Sequence, residues 1–382
     1  MNEYNQNKRI SNSFIKLWWR SIDQQIIIGL IILFAFSFML VTTSGSAVAN
    51  RIGLDEHYFS SRQIFYLTGA SILIIFFSSL EKKWLKRFAI LGFIISIVLL
   101  LLVKLYGYEV KGATRWINIL GFSMQPSEFI KPCFAVVVGW ILSFKFKGEF
   151  PSFSICLVLY SIVAFLLIIQ PDFGMLVMIS AVFGIQLFIA GMPILWIILA
   201  SFMGMIGVTC AYFWLPHVTR RINNFLDSET NENYQITKSI MAFEHGGLYG
   251  RGPGEGAVKQ VLPDSHTDFI FAVAGEEFGA IICLIVISVF AFIVLRSLLK
   301  LINEEDKFTQ LAASGIIAQL GLQSAINIGV TLNLLPTKGM TLPFISYGGC
   351  STFAIAIATG MLLGLTKHKT SLTKYKIQNI DI

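Results

Sequence analysis

Charged residues are absent from long stretches of this chain, and those stretches set its architecture. Residues 24–50, 63–80, 88–103, 150–171, 308–337 and 339–366 contain no Asp, Glu, Lys or Arg. Residues 173–219 are also free of them, and Gly191-Met192-Pro193 breaks that run near its middle, where a tight turn fits. Two further apolar segments cover 129–144, with Lys131 near its start, and 278–295, preceded by Glu276 and Glu277. A helix needs about 20 mostly apolar residues to cross a bilayer. The pattern predicts an all-α polytopic membrane protein with ten transmembrane helices, near 25–44, 63–79, 88–104, 128–144, 153–169, 174–190, 194–214, 270–298, 309–329 and 350–366. Ala47-Val48-Ala49 resembles a signal cleavage site, but the apolar run before it exceeds the roughly 7–15 residues of a signal core, so the first span reads as an anchor.

Ten spans place both termini on one side and make the loops alternate. Lys8, Arg9, Lys16 and Arg20, then Lys82-Lys83 with Lys86-Arg87, Lys145 with Lys147, Arg296 with Lys300 and Lys307, and finally Lys367, Lys369, Lys374 and Lys376 all fall on that side. The positive-inside rule makes it cytoplasmic. Residues 45–62, 105–127, 170–173, 215–269 and 330–349 then face outward. The organisation is a cytoplasmic segment 1–24, a membrane domain 25–366 and a cytoplasmic tail 367–382. The loop 215–269, between helices seven and eight, is the large extracytoplasmic element, and its length suits a folded, functional segment.

Composition sharpens this. Hydrophobic residues make up 55% and charged residues 13% of 382 residues, against about 25% charged in soluble domains, and mean hydropathy is +0.71. A soluble enzyme, a disordered tail protein and a disulfide scaffold are excluded. The net charge of +7 follows from topology and does not point to nucleic acid. Cys133, Cys156, Cys210, Cys283 and Cys350 are dispersed, with no Cys-x-x-Cys pair, so neither a disulfide framework nor a zinc site is expected.

Charged groups at membrane depth are the candidates for function. Glu128 and Lys131 are three apart on one helix face, either as an ion pair that lets the helix enter the membrane or as part of a site. Arg115 and Trp116 are either an interfacial anchor or a phosphate fork beside a sugar-stacking face. Asp172 sits in the turn Gln170–Gly174, where it could simply cap the next helix. Gly246–Gly256, containing Arg251, is glycine-rich but matches neither a Walker A nor a Rossmann loop. It is either a plain loop or a wall where backbone approaches a ligand. Thr267 or Asp268 could cap the eighth helix; Glu276, two turns deeper, should be buried and need a partner such as Lys131 or Arg115. Leu335–Gly349 is broken by two prolines and reads as a re-entrant segment lining a cavity. Together these residues describe a transporter or an enzyme acting on a lipid-linked anionic substrate.

The motifs Lys111–Trp116 (KGATRW), Gln125–Lys131 (QPSEFIK), Gln170–Gly174 (QPDFG), Gly246–Gly256, Leu262–Phe271 (LPDSHTDFIF), Glu276-Glu277 and Leu335–Gly349 (LPTKGMTLPFISYGG) occur in order across nearly the whole membrane region. In them the chain resembles the SEDS family (shape, elongation, division and sporulation proteins) of bacterial cell-wall synthesis. Pro336-Thr337-Lys338-Gly339 and Gly250–Gly256 are similar to the division-type members, whereas elongation-type members, which control cell shape, typically carry Pro-Val-Thr-Gly. The resemblance implies a peptidoglycan glycosyltransferase that polymerises lipid II into β-1,4 glycan on the outer face of the inner (cytoplasmic) membrane during septal synthesis. Its implied partners are a class B penicillin-binding transpeptidase, division-complex membrane proteins and membrane lipid. The family's essential acid falls on Asp268. The candidate substrate-binding residues are Arg115, Trp116, Lys131, Arg251, His266, Thr267, Lys338 and Ser346, with Glu128, Asp172, Glu276 and Glu277 as supporting acids. Positive charge for a leaving pyrophosphate could come from Arg115, Lys131, Arg251, Lys338 or a divalent cation, Mg or Mn; the metal is left open.

The chain departs from the family pattern at Cys350, where serine is usual, at Pro132 after Lys131, and at Glu244-His245 before the glycines. A lipid II flippase would also use an outward charged cavity, although no inverted repeat is obvious. A scaffold with an inactive site is a third reading. A reporter that works only outside the membrane should be active when inserted at 215–269 and silent when fused after Lys367. The reverse pattern would overturn the assigned orientation.

Overall fold

The structure is a computed structural model and describes residues 16–110, 113–119, 122–147, 151–214, 219, 223, 233–336 and 339–367. Lys8, Arg9, Lys111, Gly112, Thr337, Lys338, Lys369, Lys374 and Lys376 lie outside these. The long helices are α1 (Gln24–Ile52), α2 (Tyr58–Ser79), α3 (Lys82–Tyr106), α4 (Pro126–Ser143), α5 (Ser152–Ile169), α6 (Phe173–Ile189), α7 (Ile194–Trp214), α8 (Asn233–Gly246), α9 (Ile270–Ile302), α10 (Lys307–Thr331) and α11 (Gly349–Leu365). All but α8 occupy the ten segments that the charge-free pattern predicts. Eight of those ten are long and apolar enough to cross a membrane, while α6 and α11 are shorter apolar helices of 17 residues. The chain is a mostly helical, multi-pass membrane protein.

Aspartate caps start two of the helices, α1 and α10. Asp23 accepts hydrogen bonds from the Gln25 and Ile26 amides at the start of α1. It also pairs with Arg296 at 3.0 Å and Lys300 at 3.1 Å, tying α1 to the end of α9. Burial pushes the Asp23 carboxyl up, but Lys300, the Ile26 amide and Arg296 outweigh it and hold the group below its ordinary range. Asp306 caps α10 and takes Lys82 at 3.1 Å.

The centre of the bundle is α4 and α10, both largely buried, with α3, α6 and α11 around them. The outer helices carry exposed apolar side chains such as Ile31, Phe65, Leu91 and Leu195, as lipid-facing positions require. Small residues allow the central approach: a Cβ on Gly139 of α4 would lie 2.5 Å from the Ala312 amide nitrogen of α10. Gln186 of α6 donates to the Ala135 carbonyl at 2.7 Å and the Leu311 carbonyl at 2.9 Å, joining the same two helices.

Between α3 and α4 lies an antiparallel sheet of β1 (Tyr108–Val110), β2 (Ala113–Ile119) and β3 (Phe122–Met124), in the order β1-β2-β3. Tyr108 faces Trp116, and Ile117 faces Met124. The two-residue alternation of side chains along β2 puts Arg115 on the same face as the buried Ile117. This end of the bundle, the sheet end, also receives the re-entrant segment 339–348.

The glycine-rich segment after α8 docks onto a break in α9. Gly279 has φ 78° and ψ 176°, which interrupts the helical ladder. The Ala280 and Ile281 amides therefore donate to Gly247 O at 2.9 Å and Leu248 O at 3.3 Å. The released carbonyls of Glu276 and Glu277 accept from the Arg251 and Gly252 amides at 3.0 and 2.9 Å. Four backbone groups freed by the break are thus satisfied by the loop. The glycines permit the close approach, which is to the chain's own helix: a Cβ on Gly250 would stand 2.3 Å from Glu277 O. Glu276, fully buried, accepts from the Ala257 and Val258 amides at 3.0 and 3.1 Å, with His245 at 3.6 Å. Its partners are therefore the loop, and not Lys131 or Arg115. Glu277 pairs with buried Lys259 at 2.5 Å, and Lys259 also donates to Gly254 O at 2.7 Å.

Gly250 and Gly254 both have positive φ, but a Cβ on Gly254 meets nothing within 4 Å. Gly254→Ala should cost about 1 kcal/mol, and Gly250→Ala about 3 kcal/mol or more, in detergent unfolding measurements; equal losses would contradict the clamp. Lys259→Met should cost about 3–5 kcal/mol by stranding the Glu277 charge. Adding Glu277→Gln to Lys259→Met should recover much of that loss in the same measurement.

Candidate functional site

Two polar clusters meet at the sheet end. The first starts from β2, where Arg115 donates to Pro171 O at 2.5 Å and lies 3.6 Å from the Asp172 carboxylate. Asp172, in the turn between α5 and α6, also accepts from Ser127 at 3.4 Å. Burial pushes the Asp172 carboxyl up, against the opposing pull of Arg115. One turn into α4, Lys131 donates to Glu128 at 2.9 Å and to Gln323 of α10 at 2.9 Å. Lys131 is only 4% exposed, so this pair is an internal one, as the three-residue spacing predicts. Gln323 in turn donates to the Thr341 carbonyl at 3.1 Å, and Thr341 and Ser351 share a 2.6 Å hydroxyl bond.

The second cluster carries Asp268. Helix α9 begins at Ile270, and Phe269, instead of Thr267 or Asp268, stands at its N-cap position. Asp268 instead lies, partly exposed, beside the re-entrant segment. A Cβ on Gly339 would stand 3.6 Å from its Oδ2. The Asp268 carbonyl accepts from Asn327 of α10 at 2.9 Å, and the same amide reaches the Met340 carbonyl at 2.6 Å. Ser346 donates to Thr267 O at 2.6 Å and accepts from the Leu342 amide at 2.8 Å. The Tyr347 amide donates to His266 O at 2.9 Å. The His266 ring packs against Phe59 with centroids 4.6 Å apart and against Tyr347 at 5.5 Å. Phe344, in a left-handed conformation with φ 63°, is held in this tight turn by burial against Phe34. A non-glycine residue keeps that conformation only where its surroundings over-determine it.

The predicted site residues thus fall into separate groups. Arg115, Asp172, Glu128 and Lys131 form the first cluster, and His266, Thr267, Asp268 and Ser346 the second. Trp116 is half-buried on the other face of β2 from Arg115. Glu276, Glu277 and Arg251 belong to the loop clamp on α9, with the exposed Arg251 donating through Nε to His245 O at 3.2 Å. Lys338 lies outside the described residues. No group of three or more His, Cys, Asp or Glu side chains among the described residues is placed to hold a metal. Gln323 and Asn327, which tie the clusters together, were not singled out in the sequence. Their signal is a row of amides at a helical spacing of four, Gln319, Gln323 and Asn327, on a helix free of Asp, Glu, Lys and Arg from residue 308 onward.

The model of a family described as "Cell cycle protein", the FtsW, RodA and SpoVE family, matches residues 23–371. A probable peptidoglycan glycosyltransferase FtsW of Caulobacter vibrioides is 41% identical over 363 residues, covering 94% of this chain and 93% of that protein. The protein of the same description from Geobacter metallireducens is 35% identical, covering 90% of this chain and 94% of its own length. Two solved structures share the fold. One, from work on polymerisation and crosslinking by a peptidoglycan synthase complex, has a TM-score of 0.75 at 23% identity and covers 91% of this chain and 98% of its own. The rod shape determining protein RodA of Thermus thermophilus has a TM-score of 0.68 at 23% identity and covers 91% of this chain and 97% of its own. The extent of these matches, together with the ordered motifs on the sheet end, shows that the chain belongs to the FtsW/RodA/SpoVE family of cell cycle proteins, the SEDS family.

Proposed function

We propose that this protein is a division-type peptidoglycan glycosyltransferase that polymerises lipid II at the septum. The observation that carries the reading is the convergence at one end of the bundle of two buried or half-buried cations, Arg115 and Lys131, with the segment bearing Asp268. The relatives named as peptidoglycan glycosyltransferases, at up to 41% identity over most of the chain, support it. In this reading all ten apolar helices cross the inner membrane, both termini are cytoplasmic, and the sheet end with the loop 215–269 faces outward. Residues 25–366 form the catalytic membrane domain. The partner is a class B penicillin-binding transpeptidase, in keeping with the peptidoglycan synthase complex whose chain shares this fold.

The reaction is one inverting displacement. The 4-hydroxyl of the acceptor sugar attacks the anomeric carbon of the α-linked donor, the new β bond forms, and the bond to undecaprenyl pyrophosphate breaks. Pyrophosphate leaves without a proton, so one base suffices in place of the carboxylate pair of a glycoside hydrolase. Asp268 takes the hydroxyl proton. Lys131 and Arg115 stabilise the charge that develops on the leaving oxygen, in a water-poor site where such charges act strongly. Glu128 and Asp172 orient those cations. His266, Thr267 and Ser346 shape the wall beside Asp268, and Trp116 offers a stacking face for a sugar. Lys338 and Arg251 remain further cations for the lipid-linked phosphates.

In detergent, with no bilayer to cross, the purified protein with its transpeptidase partner should form glycan from lipid II. Asp268→Ala should lower that rate by at least about 10²- to 10⁴-fold, the usual contribution of a positioned base. Polymerisation by Asp268→Ala at the wild-type rate would refute the base assignment. A wild-type protein that moves lipid II across vesicles without polymerising it would refute the glycosyltransferase reading.

A further inference from the structure

We propose that Gln323 and Asn327 are positioning residues that hold Asp268, the re-entrant segment and the Lys131 ammonium in one register. They sit four residues apart on α10 and so share one face, and each is only 1% exposed. Asn327 donates to the carbonyl of Asp268 at 2.9 Å and to the carbonyl of Met340 at 2.6 Å. It thus joins the residue that bears the acid to the residue following Gly339, beside which the acid's Oδ2 lies. Gln323 accepts from Lys131 at 2.9 Å and donates to the carbonyl of Thr341 at 3.1 Å. Two consecutive carbonyls of the re-entrant segment are therefore held by two amides of one helix. One amide also grips the acid-bearing segment, and the other also grips the cation.

The chemistry calls for amides. An amide accepts and donates at once, as Gln323 does here; a glutamate would accept from Lys131 but could not donate to Thr341 when ionised. The Asn327 orientation is fixed by its neighbours, because turning its oxygen inward would set it against two carbonyls. A base and a cation must keep productive geometry to within about 0.5 Å, and a misplacement near 1 Å can cost about 10²-fold in rate.

The inference rests on the glycosyltransferase reading, and the test separates the two. Lipid II polymerisation by the purified complex is measured against substrate concentration for wild type, Asp268→Ala, Gln323→Met, Gln323→Glu and Asn327→Leu. Rates are normalised to protein that elutes monodisperse and unfolds cooperatively. Gln323→Met and Asn327→Leu retain bulk but lose the hydrogen bonds, so kcat should fall about 10- to 100-fold with KM within about threefold of wild type. Gln323→Glu, which keeps the acceptor for Lys131, should lose less than Gln323→Met. If Asp268→Ala is inactive while the amide variants keep kcat per folded molecule within about twofold of wild type, the positioning role is overturned and the glycosyltransferase reading stands. Loss confined to the amount of folded protein overturns it equally. Should Asn327→Leu not fold, Asn327→Ser carries the same criterion.

Discussion

An ammonium taken out of water into an apolar bundle costs several kcal/mol unless its charge and its donors are met. Lys131 is such a group, and the sheet end is arranged around it. Glu128, one turn back on α4, supplies the countercharge. Gln323 of α10 supplies the second acceptor and passes the constraint to Thr341. From there the re-entrant segment is fixed through Met340, Asn327 and the carbonyl of Asp268. A charge on one helix thus sets where a loop residue nearly 140 positions later can stand. The inward polar face of α10 is what makes this possible, because a helix holds its own backbone bonds and leaves its side chains free to bind others.

Backbone accounting governs the rest of that end. In an apolar surround every exposed amide and carbonyl needs a partner. The break at Gly279 would leave four groups unmet, and Gly247–Gly252 meets them. That docking places the buried Glu276 and Glu277 beneath the loop, where amides and Lys259 satisfy them. These two acids therefore anchor the loop to α9, and their partners are Ala257, Val258 and Lys259 instead of Arg115 or Lys131. Gln186 applies the same logic deeper in the bundle, spending its amide on carbonyls of two helices at once.

Much of this was legible in the chain. Stretches with few or no charges marked the ten apolar helices among the described residues, because in lipid a long uncharged run has few alternatives. The Glu128–Lys131 pair followed from spacing alone. Other features were not legible. The strands β1 to β3 are three and seven residues long, too short for a periodic signal to separate them from loop. The glycine-rich segment suits either a plain loop or a close approach to a ligand by its sequence, whereas its close neighbour is α9. A glycine's need for closeness does not say to what. Gln323 and Asn327 escaped notice since an uncharged amide barely disturbs a hydropathy pattern.

The sequence by itself determined the apolar helices, the membrane class, the family and the residues able to carry charge at depth. These depend on local composition and on motifs that lie contiguously in the chain. The tertiary structure alone decided which charges share a cluster. Arg115 joins Asp172, Lys131 joins Gln323, and Glu276 joins the loop amides. Which partner a buried charge finds is set by how helices distant in sequence pack, and that packing is a property of the whole bundle, to which no single stretch of chain gives access.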